Sequence, residues 1–167
     1  MLVAASLVLA FTASGQEKDI VVTGKEILDK PFVGIKQFAV SVYLPDEAAL
    51  GRYGLSKTAL PTDAELKLRQ AGIPVASAGL GGGNVRIMIL SAPFLGETGA
   101  PIGYGFFIEV ALVRSVSIPA SRTPVNATVW RVGGPVTSAI EHVRDIRANV
   151  SDRVDELLNA YLAANPK

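Results

Sequence analysis

The chain has 167 residues, and its 16 lysines and arginines nearly balance its 15 aspartates and glutamates. This length is enough for one domain with a single buried core, and the even mixture of charges lacks the cationic cluster that nucleic-acid binding needs. The absence of cysteine excludes disulfides, thiol nucleophiles and thiolate metal sites.

The first predicted element is a secretory leader. Residues Leu2 to Ala13 form an almost unbroken apolar run, and the first charged side chain is Glu17. The run fits the apolar region of a signal sequence and is shorter than the ~20 residues that span a bilayer. Small residues at 13–15 suit cleavage, so we predict a signal peptide over 1–15, a periplasmic or secreted protein, and no membrane span after cleavage.

Alternatives to that leader follow from one departure from the signal pattern, because no basic residue precedes the apolar run. The segment could instead be retained as a membrane anchor, or form a strand or buried helix of the domain. Lipid attachment is not expected, since the acylated residue would have to be a cysteine and the chain has none.

Residues 16–35 are predicted to be an N-terminal extension or an edge strand, with a short apolar core at 20–22. Residues 36–167 are predicted to form a single α+β domain. Its first element is a half-buried strand over 38–44, where larger apolar side chains alternate with smaller or polar ones.

A helix and a second strand are predicted next. Residues 62–65, Thr-Asp-Ala-Glu, match a capping box, in which the first hydroxyl and the last carboxylate satisfy each other's backbone amides. We therefore expect a helix over 63–71, ended by Gly72 in a left-handed conformation. Residues 73–76 resemble a strand, which Pro74 would confine to a sheet edge.

Three more strands and a long helix complete the chain. The strands are predicted over 85–90, 104–118 and 125–132, and the middle one has the longest alternation in the sequence. A second capping box at 138–141 is expected to open the last helix. The apolar stripe of that helix recurs at spacings of three and four and comprises Ile140, Val143, Ile146, Val150, Val154, Leu157, Tyr161 and Leu162.

The order strand–helix–strand–strand–strand–strand–helix predicts an α+β fold. Two helices on one face of a four- to five-stranded, mostly antiparallel sheet would bury every apolar stripe. The first strand–helix–strand step could supply one parallel pair, which would make the sheet mixed. The other sheet face is then left outside the helix layer.

No catalytic, cofactor-binding or metal-binding residues are predicted. His142 is the only histidine and lies beside the core stripe of the last helix, toward solvent, and no Gly-x-Ser-x-Gly motif presents a serine to it. The carboxylates do not have the spacing of an oxygen-ligated metal loop. The glycine-rich residues 79–84 open a strand, whereas a phosphate-binding loop must open a helix.

The uncovered sheet face is the candidate site. Aromatic residues, arginine and methionine on an exposed surface are typical of protein contacts. Alternatively, the aromatic residues are there only because they favour strands, and residues 16–32 partly shield the sheet. Trp130 is assigned to this face because it shares its side of the strand with Asn126 and Thr128. The predicted protein-contact residues are Tyr43, Arg86, Met88, Phe107, Glu109 and Trp130.

Three segments carry a resemblance to known proteins: residues 62–73, the late strand around Trp130, and the ending 161–167. In these the chain resembles small exported bacterial proteins of unassigned function. Its element order is similar to that of small α+β domains of bacterial envelope assemblies, such as the N-terminal domain of TolB. The resemblance implies an envelope protein; it carries no catalytic motif, and a shared fold does not determine function.

These observations predict an exported, non-enzymatic envelope or secreted module that binds an envelope protein through an open sheet face or edge. One alternative is a small hydrolase acting through carboxylates, with Glu109 as the foremost acid. Another is a carrier with a pocket for an apolar ligand between sheet and helices. The partner, the strand order and the oligomeric state are left open by the sequence.

Overall fold

The computed structural model describes residues 29–76, 82–117 and 124–166. Four strands within these ranges form one mixed sheet in which the spatial order equals the chain order. The strands are β1 (Phe38–Tyr43), β2 (Gly83–Leu95), β3 (Pro101–Ser117) and β4 (Pro124–Ala139). β1 runs parallel to β2, and the β2–β3 and β3–β4 pairs are antiparallel. The predicted α+β class and a mixed sheet are confirmed, but the parallel ladder joins β1 to β2 and not to the segment 73–76.

Within the described residues, three helices accompany the sheet. The short α1 (Glu47–Leu50) continues into a 3₁₀ turn, α2 (Ala59–Gln70) follows, and α3 (Asp145–Ala164) closes the chain after a second 3₁₀ turn at Ile140–His142. α2 packs on β1 and on α3, and α3 packs on β3 and β4. Both long helices therefore lie on one side of the sheet, which we call the inner face; the opposite side is the outer face.

The core lies between the inner face and the two long helices. Every second residue of β2 and β3 points into it, including Ile87 and Ile108, both fully buried. α3 contributes the apolar stripe expected from its period, with Leu157 at its centre. At the end of that stripe Leu158 is buried, whereas Leu162, predicted to belong to the stripe, is exposed.

The predicted strand at 73–76 is reduced to a single bridge. Val75 pairs with Phe38, whose amide donates to the carbonyl of Pro74 at 2.9 Å. The Ala76 amide donates in return to the carbonyl of Phe38 at 2.9 Å. Pro74 has no amide hydrogen with which to extend the pairing on its N-terminal side. The observed order consequently contains one strand fewer than predicted.

The first predicted capping box is wrong. α2 begins at Ala59, one turn earlier than expected, and the hydroxyl oxygen of Ser56 accepts a hydrogen bond from the Ala59 amide at 3.0 Å. Thr62 lies inside the helix, where its hydroxyl donates to the carbonyl of Thr58 at 2.7 Å. Gly72 has the predicted left-handed conformation after the helix, with φ of 77°.

The second predicted capping box is also wrong, because strand pairing continues through it. Ser138 lies opposite Tyr104 in the β3–β4 ladder, and its hydroxyl donates to the carbonyl of Ala139. α3 then starts only at Asp145. Cross-strand hydrogen bonds and the buried ring of Tyr104 outweigh the local preference of Ser138 for a helix start.

The described part of the predicted N-terminal extension begins at Asp29 and packs into the same core. Phe32 and Ile35 are buried, and the carbonyl of Ile35 accepts a hydrogen bond from the Tyr161 hydroxyl at 3.0 Å. The predicted signal peptide and the short apolar segment at 20–22 lie outside the described residues.

Candidate functional site

The strand register places most of the predicted contact residues side by side on the outer face. Tyr43 lies beside Met88, and Met88 lies opposite Glu109, so these three form one row across the sheet. Arg86 is two residues before Met88, and Phe107 is two residues before Glu109. Because side chains two apart on a strand share a face, five of the six predicted residues belong to one continuous surface.

Trp130 does not belong to that surface, and its predicted outward orientation is wrong. The register shifts between Leu112 and Val113, so that Thr128 lies opposite Val113 but Trp130 lies opposite Leu112. Val129 is the extra residue of a β-bulge, which reverses the alternation along β4. The Trp130 ring therefore turns to the inner face, with its centroid 5.6 Å from that of Phe32.

The same bulge brings Arg131 to the outer face, where sequence alternation did not place it. Arg131 lies opposite Ala111, which in turn lies opposite Arg86. Two arginines thus flank the strand that carries Glu109. No local signal in the sequence marks the bulge, so Arg131 could be found only from the pairing of β3 with β4.

Glu109 is the centre of this charged group and is only 6% exposed. Its Oε1 accepts a hydrogen bond from Nη2 of Arg86 at 3.3 Å, and its Oε2 lies 3.6 Å from Nη1 of Arg131. Nη2 of Arg86 also donates to the hydroxyl of Thr128 at 3.3 Å. We call Arg86, Glu109 and Arg131 the arginine–glutamate cluster; its formal charge is +1, from two arginines and one glutamate.

Close approach of β4 contributes to the burial of Glu109. Gly133 lies opposite Glu109 with φ of 156°, a backbone conformation that residues other than glycine rarely adopt. A Cβ atom at this position would overlap the carbonyl oxygen of Ile108 and come within 2.8 Å of the Glu109 Cα. The glycine thus lets the two backbones meet directly beside the carboxylate.

Apolar side chains continue the outer face away from the cluster. Phe107 is 38% exposed and Tyr43 is 55% exposed, and Leu90 and Phe94 on β2 are exposed as well. Leu90 lies opposite Phe107 in the register. Phe94 lies beyond the predicted strand 85–90, whereas β2 continues to Leu95. We call Tyr43, Met88, Leu90, Phe94 and Phe107 the apolar patch.

The following observations concern the two alternative functions, a carboxylate hydrolase and a carrier of an apolar ligand. Glu109 faces two guanidinium groups, and within 29–76, 82–117 and 124–166 no three His, Asp or Glu side chains are grouped to hold a metal ion. His142 is exposed and lies 3.4 Å from the carboxylate of Asp145. A cavity between α2 and α3, lined by Leu60 and Val154 among others, measures about 10 Å³, which is room for one water.

Comparison with known proteins identifies no sequence relative: no family model and no curated protein matches the chain. Solved structures with a coarse likeness include bacterial proteins named as lipoproteins. Rare lipoprotein B from Shewanella oneidensis is 12% identical with a TM-score of 0.39, covering 76% of this chain and 96% of its own.

Two other solved structures have a likeness of the same degree. The PelC dodecamer from Paraburkholderia phytofirmans is 16% identical with a TM-score of 0.41, covering 76% of this chain and 86% of its own. A minor lipoprotein from Acinetobacter baumannii is 9% identical with a TM-score of 0.41, covering 77% of this chain and 91% of its own.

None of the helices within 29–76, 82–117 or 124–166 combines the length and the apolar character needed to cross a membrane.

Proposed function

We propose that this chain is an exported, non-enzymatic module of the bacterial cell envelope that binds another protein through the outer face of its sheet. The observation that carries the proposal is the apolar patch next to the arginine–glutamate cluster, on the side of the sheet opposite both long helices. Aromatic, methionine and arginine side chains are the types that protein–protein interfaces favour.

The exposed side chains of the apolar patch do not pack into the hydrophobic core. Phe107 and Leu90 face each other across two strands without a helix between them and the solvent in the described part of the chain. Exposed apolar side chains that form a continuous surface, as opposed to scattered ones, commonly mark contact sites. A partner that covers them would gain roughly 25 cal/mol for each Å² of apolar surface removed from water.

Export is supported by the predicted leader over residues 1–15. The likeness to the TolB N-terminal domain stays a prediction. Export is tested by cell fractionation and N-terminal sequencing, with the expected result that the protein lies outside the cytoplasm and begins at Gln16. An intact chain starting at Met1 in the cytoplasm would contradict it.

Site-specific photocrosslinking tests the contact face in the cells that make the protein. A photoreactive amino acid replaces Phe107 on the outer face, and in a matched variant it replaces Leu66, an exposed apolar residue of α2 on the helix side. We expect a discrete crosslinked protein from position 107 and none from position 66. Equal crosslinking at both positions, or none at position 107, would refute the proposed face.

A further inference from the structure

We propose that the outer face selects a protein segment in which a carboxylate accompanies apolar side chains. Arg131 and Arg86 would receive the carboxylate, while Phe107 and Leu90 would receive the apolar groups. This inference rests on the proposed function and specifies the chemistry of the partner. It follows from the charges of the face, from hydrogen-bonding capacity that the fold leaves unused, and from the position of the apolar patch.

The outer face is positively charged in the part that a partner can reach. The four strands contain only four charged residues, and one of them, Arg114, is engaged elsewhere by the carbonyls of Pro31 and Val33 at 3.2 and 3.3 Å. The other three are the arginine–glutamate cluster. Because the Glu109 side chain is 8% exposed and that of Arg131 is 73% exposed, a partner meets guanidinium groups and not the carboxylate.

Arg131 has unused hydrogen-bonding capacity. A guanidinium group carries five N–H donors in a planar fork that matches a carboxylate. Within the described residues, its one polar partner is Glu109, and the 3.6 Å between Nη1 and Oε2 is an ion pair too long for a hydrogen bond. The outward edge of the guanidinium is therefore open to a carboxylate from another chain.

Arg86 is also incompletely satisfied by its own fold. Its Nη2 atom makes two hydrogen bonds of 3.3 Å, and its Nε is buried without an acceptor among the described residues. The buried Nε is out of reach of a partner, so an incoming carboxylate would accept from the exposed N–H groups of the guanidinium. With 39% of its side chain exposed, Arg86 can be reached from the outer face.

The apolar patch begins within reach of the two arginines. Arg131 lies opposite Ala111, and Phe107 is four residues from Ala111 on the same strand. At a rise of about 3.3 Å per residue, these positions are about 13 Å apart along the sheet. An acidic and an apolar side chain about four residues apart in an extended segment would span that distance.

Charge also separates this partner from two other occupants of the face. A second copy of the chain would bring one net positive surface against another, which opposes association. An anionic membrane surface is usually recognised by clusters of about four to eight lysines and arginines. The outer face has two arginines and a buried acid, so a single carboxylate on a protein segment is the better match.

A random peptide display library tests the proposal, with the chain from Gln16 onward as the target. We expect the enriched peptides to carry Asp or Glu near aromatic or aliphatic residues. The affinity of the best peptide should fall about tenfold for Arg131→Glu, and it should weaken as NaCl is added. Arg144→Glu is the matched control, because Arg144 is exposed beside the start of α3 and the substitution changes the charge by the same amount.

The remaining outcomes each decide against part of the proposal. Peptides that depend on Phe107 but carry no acid, and bind Arg131→Glu normally, would overturn the carboxylate and leave the contact face in place. Peptides indifferent to both residues, or no enrichment, would overturn the face as well. Binding to phosphatidylglycerol vesicles that Arg131→Glu abolishes, without peptide binding, would reassign the face to a membrane. Circular dichroism confirms that each variant is folded.

Discussion

The two faces of β3 differ in what their side chains do. On the inner face, Tyr104, Phe106 and Ile108 are buried against the helix layer. On the outer face, Phe107 is exposed, and the buried Glu109 is flanked by two arginines that are themselves partly or largely exposed. One strand therefore has an inner face whose side chains are buried in the core. Its outer face combines an exposed apolar side chain with a charged cluster.

This difference separates the face that stabilises the fold from the face that is proposed to bind a partner. Burying an apolar inner-face side chain stabilises the fold by about 1.5–3 kcal/mol. Burying a charge is unfavourable unless partners compensate it, and the hydrogen bonds that Arg86 makes around Glu109 are long, at 3.3 Å. The outer face thus holds polar groups that a purely structural sheet has no need to keep.

The largest expected effect contrasts two neighbours on β3. Ile108→Ala removes a fully buried inner-face side chain and should lower the free energy of unfolding by about 2–5 kcal/mol. Phe107→Ala, one residue away on the outer face, should cost about 1 kcal/mol or less. Urea unfolding measures both. A similar loss at the two positions would break the distinction between the faces.

Trp130→Ala tests the bulge that moves this residue to the inner face. Because the ring packs against Phe32, we expect a loss of about 2 kcal/mol. Tyr43→Ala, on the outer face, is the control and should cost much less, since Tyr43 is 55% exposed and makes no such ring contact with the described residues. If Trp130→Ala were as mild as Tyr43→Ala in chemical denaturation, the inward orientation would be untenable.

Gly133→Ala tests how closely β4 approaches Glu109. The added methyl group would overlap the backbone of Ile108, so we expect about 1–3 kcal/mol of destabilisation. Gly134→Ala is the matched control, because a Cβ there meets nothing within 4 Å. Thermal unfolding of the two variants compares them directly, and equal melting temperatures would show that the strands are farther apart than described.

The smallest expected effect concerns an ion pair between the two long helices. It contrasts with the arginine–glutamate cluster of the outer face, in which the glutamate is buried. Nε and Nη2 of Arg147 donate to the Asp63 carboxylate at 2.6 and 2.8 Å, and these bonds lower the pKa of Asp63 from its ordinary value. Because both groups are partly exposed, Asp63→Asn should cost less than about 1 kcal/mol at neutral pH.

The pH dependence of that loss has a defined sign. A lowered pKa in the folded state means that the ion pair stabilises the protein above the ordinary pKa of an aspartate, about 4. The contribution disappears as the pH falls through the lowered pKa of Asp63. Unfolding curves of the parent and of Asp63→Asn should therefore converge in acid, and a difference that grows below pH 4 would contradict this account.

The sequence predicted the fold better than it predicted the ends of the elements. Alternation correctly predicted the strands that contain Ile87 and Ile108, because burial on one face imposes a period of two. Both capping boxes failed, since a capping motif is a local preference that strand pairing at Ser138 and an earlier helix start at Ala59 outweigh. Helix periodicity survived these errors because it extends over many residues.

The candidate site was predicted in part. Alternation correctly placed Arg86, Met88, Phe107, Glu109 and Tyr43 on one surface. It assigned Trp130 to the wrong face and missed Arg131, because one extra residue in β4 reverses the alternation beyond Val129. The bulge depends on how β4 meets β3, and a single strand carries no record of its partner.

The sequence by itself determined the α+β class, the amphipathic strands and the long final helix, because these depend on the periodicity of side chains along one segment. Only the tertiary structure decided the register of β4, the inward turn of Trp130 and the meeting of Arg131 with Glu109. Those features arise from contacts between segments distant in the chain, whose relative position is chosen when the strands pair and the core closes.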